Sequence, residues 1–204
     1  MNDERSTIKQ AISGDETAFE QLVVRYQAQV YNLCLRMLCN CDDAADVTQE
    51  VFFKAWRNLQ GFHFEAAFST WLYRLTSNAC LDHLRAAKRR KGISLHITQP
   101  GGEEQALDIP DPAPNPEERL LRRDERETLA SCMNSLDEEH RQILTLRVIN
   151  DLSYTDIARV LGIKEGTVKS RLARARICLR KKMLQTGNKA FTTASKEVEQ
   201  EVRT

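Results

Sequence analysis

Asp151-Leu-Ser-Tyr-Thr-Asp-Ile-Ala-Arg-Val-Leu-Gly-Ile-Lys-Glu-Gly-Thr-Val-Lys-Ser-Arg-Leu-Ala-Arg-Ala-Arg176 is the stretch whose pattern decides the fold. Ser153 and Asp156 have capping-box spacing, which satisfies the free N–H groups at a helix start. Ile157, Ala158 and Leu161 then line one face of a short helix, and Gly162 supplies a turn. A second helix follows, with Thr167, Val168, Leu172, Ala175 and Leu179 on its inner side. This is a helix-turn-helix from about Ser153 to Lys182, and the second helix of that motif enters the DNA major groove. Lys169, Ser170, Ala173 and Arg174 are left facing outward, with Arg171, Arg176 and Arg180 able to reach groove edges or phosphates. A solvated basic helix would carry the same charges. The succession of cap, short helix, turn and basic helix is what favours groove docking.

Charge along the chain supports this reading more than its sum does. The net charge is only +1 over 204 residues, yet Lys164 to Lys182 holds eight basic residues against Glu165 alone. Arg85, Lys88, Arg89, Arg90 and Lys91 form a second basic cluster, while Ile93 to Glu118 has six acids and no Lys or Arg. Such segregation is the electrostatic footprint of nucleic-acid binding.

Helical spacing continues toward the N-terminus. Phe19, Leu22, Val23, Tyr26, Val30, Leu33 and Met37 recur at three- and four-residue steps, predicting a helix from Asp15 to Leu38. A short helix, about Asp3 to Ser13, precedes it; after a turn at Asn40, Asp42 or Asp43 can cap another to about Leu59. Ser69 or Thr70 can cap a helix marked by Leu72, Leu75, Ala79 and Leu84, which runs into the basic cluster. The segment from Gly92 to Pro116 carries Gly101-Gly102 and all five prolines, so it reads as an extended linker. From Glu117 to about Leu184 the pattern gives four helices broken near Asn134, Asn150 and Gly162. No segment reads as a strand. The polar end from Thr186 to Thr204 has too little apolar surface to order itself.

The expected fold is therefore all-α: two small helical domains joined by a flexible linker. The expected boundaries are 1–92, a linker 93–118, a second domain 119–186 and a disordered tail 187–204. With 41% hydrophobic and 29% charged residues the composition is that of a globular protein. No stretch approaches a membrane span and the N-terminus has no apolar signal core, so the expected location is cytoplasmic.

Most of the six cysteines (Cys34, Cys39, Cys41, Cys80, Cys132, Cys178) sit in apolar helical patterns and are read as reduced thiols. Cys39-Asn40-Cys41 could be part of a zinc site with Cys34 or Cys80, but the paired CxxC spacing of such sites is missing, and no metal or cofactor is expected. His63, His83, His96 and His140 are scattered, there is no Gly-rich phosphate loop, and no nucleophile has a base at recognisable spacing, so no enzymatic activity is expected.

The stretch from Asp151, with Leu161-Gly-Ile and Gly166 to Arg176, resembles region 4 of bacterial sigma factors of the extracytoplasmic-function (ECF) type. Asp43-Ala-Ala-Asp-Val-Thr-Gln-Glu-Val-Phe-Phe-Lys-Ala-Trp56 resembles region 2.2. Phe68-Ser-Thr-Trp-Leu-Tyr-Arg-Leu-Thr-Ser-Asn-Ala-Cys-Leu-Asp-His-Leu-Arg85 resembles regions 2.3 and 2.4. The two motif sets, in the right order, span most of residues 8–184.

That resemblance implies a subunit that binds core RNA polymerase, through its beta-prime clamp helices and beta flap, and directs initiation at promoter DNA. It places clamp-helix binding on Asp46, Gln49, Glu50 and Phe53, although Phe52, Phe53 and Trp56 could be mostly core, as aromatics at helical spacing usually are, which leaves the polar members as the firm ones. Minus-ten recognition and strand opening fall to Phe62, His63 and Phe64 as walls of a base pocket, to Asn78, and to Arg74, Arg85, Lys88 and Arg89 along the single-strand path. Asn78 could also be an ordinary exposed helix residue. Minus-thirty-five recognition falls to Lys169, Ser170, Arg171, Ala173, Arg174 and Arg176. Ala173 departs from the larger side chain of many relatives, which leaves a thymine-methyl contact or none at that base.

The acidic linker is compatible with passage through a basic polymerase channel, and equally with a plain disordered spacer. A cognate anti-sigma factor is a further expected partner, one that could hold the protein at the inner membrane face. A helix-turn-helix regulator that does not act as a sigma subunit is the other reading. Against it stand residues 1–92, which are helical and lack the alternating strands of a receiver domain.

Overall fold

The computed structural model describes residues 2–93 and 128–185. The expected tail, and all of the expected linker beyond Ile93, lie outside the described residues.

The N-terminal half is four helices: α1 (Asn2–Ile12), α2 (Glu16–Leu38), α3 (Cys41–Asn58) and α4 (Phe68–Ile93), with a 3₁₀ turn at Leu59–Gly61. Asp15 caps α2, accepting from the backbone N–H groups of Thr17 and Ala18 at 2.9 and 3.2 Å. The Thr17 hydroxyl, then these N–H groups, hold the Asp15 carboxyl below its ordinary pKa. Two caps differ from expectation. Asn40, not Asp42 or Asp43, caps α3, because its extended backbone aims Oδ1 at the Asp43 N–H, 2.9 Å away. Helix α4 begins at Phe68, ahead of Ser69 and Thr70, and its first bond runs from the Trp71 N–H to the Ala67 carbonyl.

The apolar stripe of α2 (Leu22, Val30, Leu33, Met37) meets Val47, Val51 and Ala55 of α3 and Leu72 and Ala79 of α4, all buried. Burying one such aliphatic side chain stabilises the fold by roughly 1.5–3 kcal/mol, which makes this stripe the principal reason the helices associate. Phe62, Phe68 and Trp71 close one end as an aromatic cluster with ring centroids 5.4–5.5 Å apart.

The C-terminal half starts, within the described residues, with a helix over 128–134 (α5). Then come α6 (Glu138–Leu144), a π-helical turn (Thr145–Ile149), α7 (Tyr154–Leu161) and α8 (Glu165–Gln185). The expected capping box is present: Ser153 Oγ accepts from the Asp156 N–H at 3.1 Å and donates to the Asp156 carboxylate at 2.7 Å. Ser153→Ala should lower stability by about 1 kcal/mol, read as a reduced thermal midpoint; an unchanged midpoint would refute the cap's contribution. Gly162 stands at φ +65 and ends α7 in the left-handed conformation that glycine adopts without a Cβ penalty. Ile143, Leu146, Ile157, Val160, Val168, Leu172 and Ala175 form the core of this half.

The two halves meet along a seam in which α6, the π turn and α7 lie against α2 and α4. Arg141 crosses it, donating from Nη1 to the Met37 carbonyl at 3.1 Å and to Cys39 Sγ at 2.9 Å. Cys39 ends α2 in the left-handed region at φ 57, and its thiol donates to Asn134 Oδ1 at 2.7 Å. Lys88 of α4 pairs with Glu138 of α6 at 2.5 Å. Between the halves lies a polar cleft of about 390 Å³, with Arg25, Gln29 and Tyr73 on one wall and Asn150, Asp151 and Asp156 on the other.

Candidate nucleic-acid interface

Helix α8 buries Val168, Leu172, Ala175 and Met183 and keeps its charge outside. Lys169, Ser170 and Arg174 are exposed, whereas Arg171, Ala173 and Arg176 are half-buried. Each exposed member has a local partner: Lys169 pairs with Glu165 at 3.6 Å, Ser170 donates to the Thr167 carbonyl, and Arg174 Nε donates to the Ser170 carbonyl at 3.3 Å. Arg171 reaches back to Glu139 of α6 at 3.4 Å. Surface pairs of this kind contribute little energy, so phosphates can replace them at small cost.

Two side chains that the sequence pattern did not single out join this surface. The Tyr154 ring, at the start of α7, lies between Arg147, 5.3 Å from its centroid, and Lys169, 5.9 Å from it. Arg147 is also held by Asp151 at 3.3 Å and by the Leu152 carbonyl at 3.0 Å. The result is a cationic edge that continues from α8 onto the first helix of the motif, the element that crosses the backbone in helix-turn-helix docking. Arg147 could not be found from spacing, since the π turn that aims it breaks helical periodicity.

In the N-terminal half, Arg74, Asn78, Arg85, Lys88 and Arg89 are all exposed along α4. Arg85 pairs with Asp82 at 3.4 Å and Lys88 crosses the seam to Glu138, so the cationic line is partly occupied. The loop before α4 is not the uniform aromatic wall expected. Phe62 is 5% exposed and packs on Phe64, Phe68 and Trp71, so it supports the loop from beneath. His63 is exposed and Phe64 half-buried. Phe64 holds φ 58, a strained conformation for an aromatic residue, with the Arg5 guanidinium 5.1 Å above its ring.

Asp46, Gln49, Glu50 and Phe53 share the outer surface of α3 and are exposed. Phe53 is 62% exposed with Arg57 5.6 Å from its ring, so it is not a core residue. Phe52 and Trp56 are half-buried, and Trp56 stacks on Phe19 at 4.8 Å. Phe19, Phe52, Phe53, Trp56 and Glu16 line an open hollow of about 350 Å³.

None of the six cysteines forms a disulfide. Cys34 and Cys80 lie wholly buried against one another, and the Cys34 hydrogen bond together with burial pushes the Cys80 thiol far up. Among the described residues no three His, Cys, Asp or Glu side chains group as a metal site, and no helix is long and apolar enough to cross a membrane.

Residues 22–90 match the sigma-70 region 2 family and residues 126–179 the sigma-70 region 4 family. The ECF RNA polymerase sigma factor SigW of Bacillus subtilis is 33% identical over 88% of this chain and 96% of its own length. RNA polymerase sigma-H factor of Pseudomonas aeruginosa is 38% identical over 85% of this chain and 90% of its own. The ECF sigma-E factor of Escherichia coli K12 is 37% identical over 83% and 88%. Among solved structures, CnrH in complex with the cytosolic domain of CnrY superposes with a TM-score of 0.64 at 26% identity, covering 91% of this chain and 98% of that one. The sigma factor RpoE in complex with the anti-sigma factor NepR from Bartonella quintana gives 0.63 at 22% identity, over 82% and 96%, a likeness of fold.

Proposed function

The chain belongs to the ECF sigma factors of the sigma-70 family, and from that premise we propose how its residues divide the work of promoter-specific transcription initiation. The protein acts as a sigma subunit of RNA polymerase, in which region 2 and region 4 bind core polymerase and promoter DNA. The observation that carries the reading is the co-occurrence of two exposed cationic surfaces, on α4 and α8, each on its own helical scaffold.

On α8, Lys169, Ser170 and Arg174 read base edges of the minus-thirty-five element in the major groove, and Arg171 and Arg176 contact its phosphates. Arg147, from the π turn beside α7, extends the phosphate contacts. Ala173 has no polar atom to offer and makes at most an apolar contact with a thymine methyl.

On α4, Asn78 binds an unstacked base of the minus-ten element, and Arg74, Arg85, Lys88 and Arg89 neutralise the strand beside it. His63 and Phe64 face the captured base and Phe62 buttresses them from the core.

Asp46, Gln49, Glu50 and Phe53 dock on the clamp helices of the beta-prime subunit, where acids around an exposed aromatic complement a basic-rimmed coiled coil. The division into domains 1–92 and 119–186, with a linker between, follows from the same assignment. Anti-sigma control of the kind named for RpoE and NepR fits a protein whose binding surfaces lie on two halves that one partner could cover together. Such a sigma subunit has no catalysis of its own.

Run-off transcription with purified core RNA polymerase, on promoter templates selected from a genomic library, tests the proposal. Specific transcripts should appear only when the protein is added. Asn78→Ala should reduce them on duplex templates and regain activity on a template pre-opened across the minus-ten element. If core polymerase neither binds the protein nor initiates with it, while the protein alone binds a duplex site, the regulator reading replaces this one.

A further inference from the structure

The seam contains chemistry that promoter recognition does not use. Cys39 and Cys41 are exposed, two residues apart, at the junction of α2 and α3, whereas Cys34, Cys80 and Cys132 are buried. The Arg141 guanidinium lies 2.9 Å from Cys39 Sγ, so the exposed sulfur stands in the electropositive setting that reactive cysteines share. The same sulfur is a structural node, since Arg141 and Asn134 of the C-terminal half both hydrogen-bond to it.

We propose that Cys39 is a site of oxidation by hydroperoxides, with Cys41 as resolving thiol, and that its oxidation opens the seam. In the first step Cys39 Sγ gives up its thiol proton and attacks one peroxide oxygen. A sulfur–oxygen bond forms as the oxygen–oxygen bond breaks, sulfur is oxidised by two electrons, and the departing oxygen takes the thiol proton to leave as water or an alcohol. In the second step Cys41 attacks the sulfenic sulfur; the disulfide forms, the sulfur–oxygen bond breaks, and hydroxide leaves as water with the Cys41 proton.

Drawing Cys39 Sγ toward Cys41 removes its hydrogen bond to Asn134 and its contact with Arg141. Losing one hydrogen bond to a charged group shifts an equilibrium roughly tenfold, here toward the parted state. The change matters for DNA because Lys88, assigned above to the minus-ten strand, is tied to Glu138 only while the seam is closed. The oxidation rests on the seam geometry alone; only this last consequence rests on the promoter assignment.

The Lys88–Glu138 pair reports the closed state directly, because a carbodiimide joins such a contact as an amide. In the full-length chain, hydrogen peroxide should lower that cross-link, by at most roughly tenfold, and dithiothreitol should restore it. Peptide mass spectrometry should find a Cys39–Cys41 disulfide, and in Cys41→Ser a sulfenic acid on Cys39 trapped by dimedone. Cys39→Ser should keep its cross-link in peroxide. Reaction at other cysteines with Cys39 left reduced would overturn the site, and an oxidised Cys39 with an unchanged cross-link would overturn the opening. Either result leaves the run-off assay untouched, so the two proposals fail separately.

Discussion

Leu72→Ala should destabilise the protein by about 2–5 kcal/mol, out of the 5–15 kcal/mol typical of a whole domain. Leu72 is 0% exposed on α4, in the core it shares with α2 and α3, and the cavity left by a truncated side chain there is only partly filled by relaxation. Urea titration of the full chain, followed by the helical circular dichroism signal, should show the midpoint fall. Val24, 64% exposed on α2, is the control: Val24→Ala should stay within about 0.5 kcal/mol of the parent. A Leu72→Ala loss as small as the control's would mean that α4 is not anchored as described, and Asn78 and Arg74 would lose the scaffold that positions them.

Arg174→Ala is expected to weaken binding of a minus-thirty-five duplex by about 1–3 kcal/mol, roughly fivefold to 150-fold, and to relax the preference at one base pair. Arg180→Ala is the contrasting variant. Placed further along α8, it should weaken all sequences alike and reduce the salt dependence by about one phosphate contact. Titrations with the selected duplex and single-base variants, at two salt concentrations, distinguish the two. If Arg174→Ala lowers affinity uniformly and leaves base preference intact, the residue contacts backbone only, and specificity falls to Lys169 and Ser170.

The helical half of this picture was legible because the chain marks its helix ends with residues whose chemistry is local. Ser153, Asp156 and Gly162 do the same thing in the fold as in the string, since a cap and a turn involve only near neighbours. Asn40 caps α3 although residue type points as well to the neighbouring Asp42 and Asp43, because the cap depends on which backbone is extended. Phe62 and Phe53 show the larger limit. Both are phenylalanines near functional motifs, yet one is buried and the other stands in solvent, and only the packing of α3 and α4 decides between them. Arg141 gave no sign at all, because its partners, Met37 and Cys39, are more than a hundred residues earlier in the chain.

The closed seam also sets a limit on reach. Elements centred near positions thirty-five and ten are about 25 base pairs apart, or roughly 85 Å along a duplex at 3.4 Å per pair. A compact chain of this length has a radius of gyration of only roughly 17 Å. While α7 rests against α4, one molecule can therefore touch either element but not both. Residues 94–127 join the halves, and a chain of that length spans at most roughly 120 Å. That exceeds the separation of the two elements, so the length of the connection does not forbid both contacts, and parting of the seam is the step that permits them.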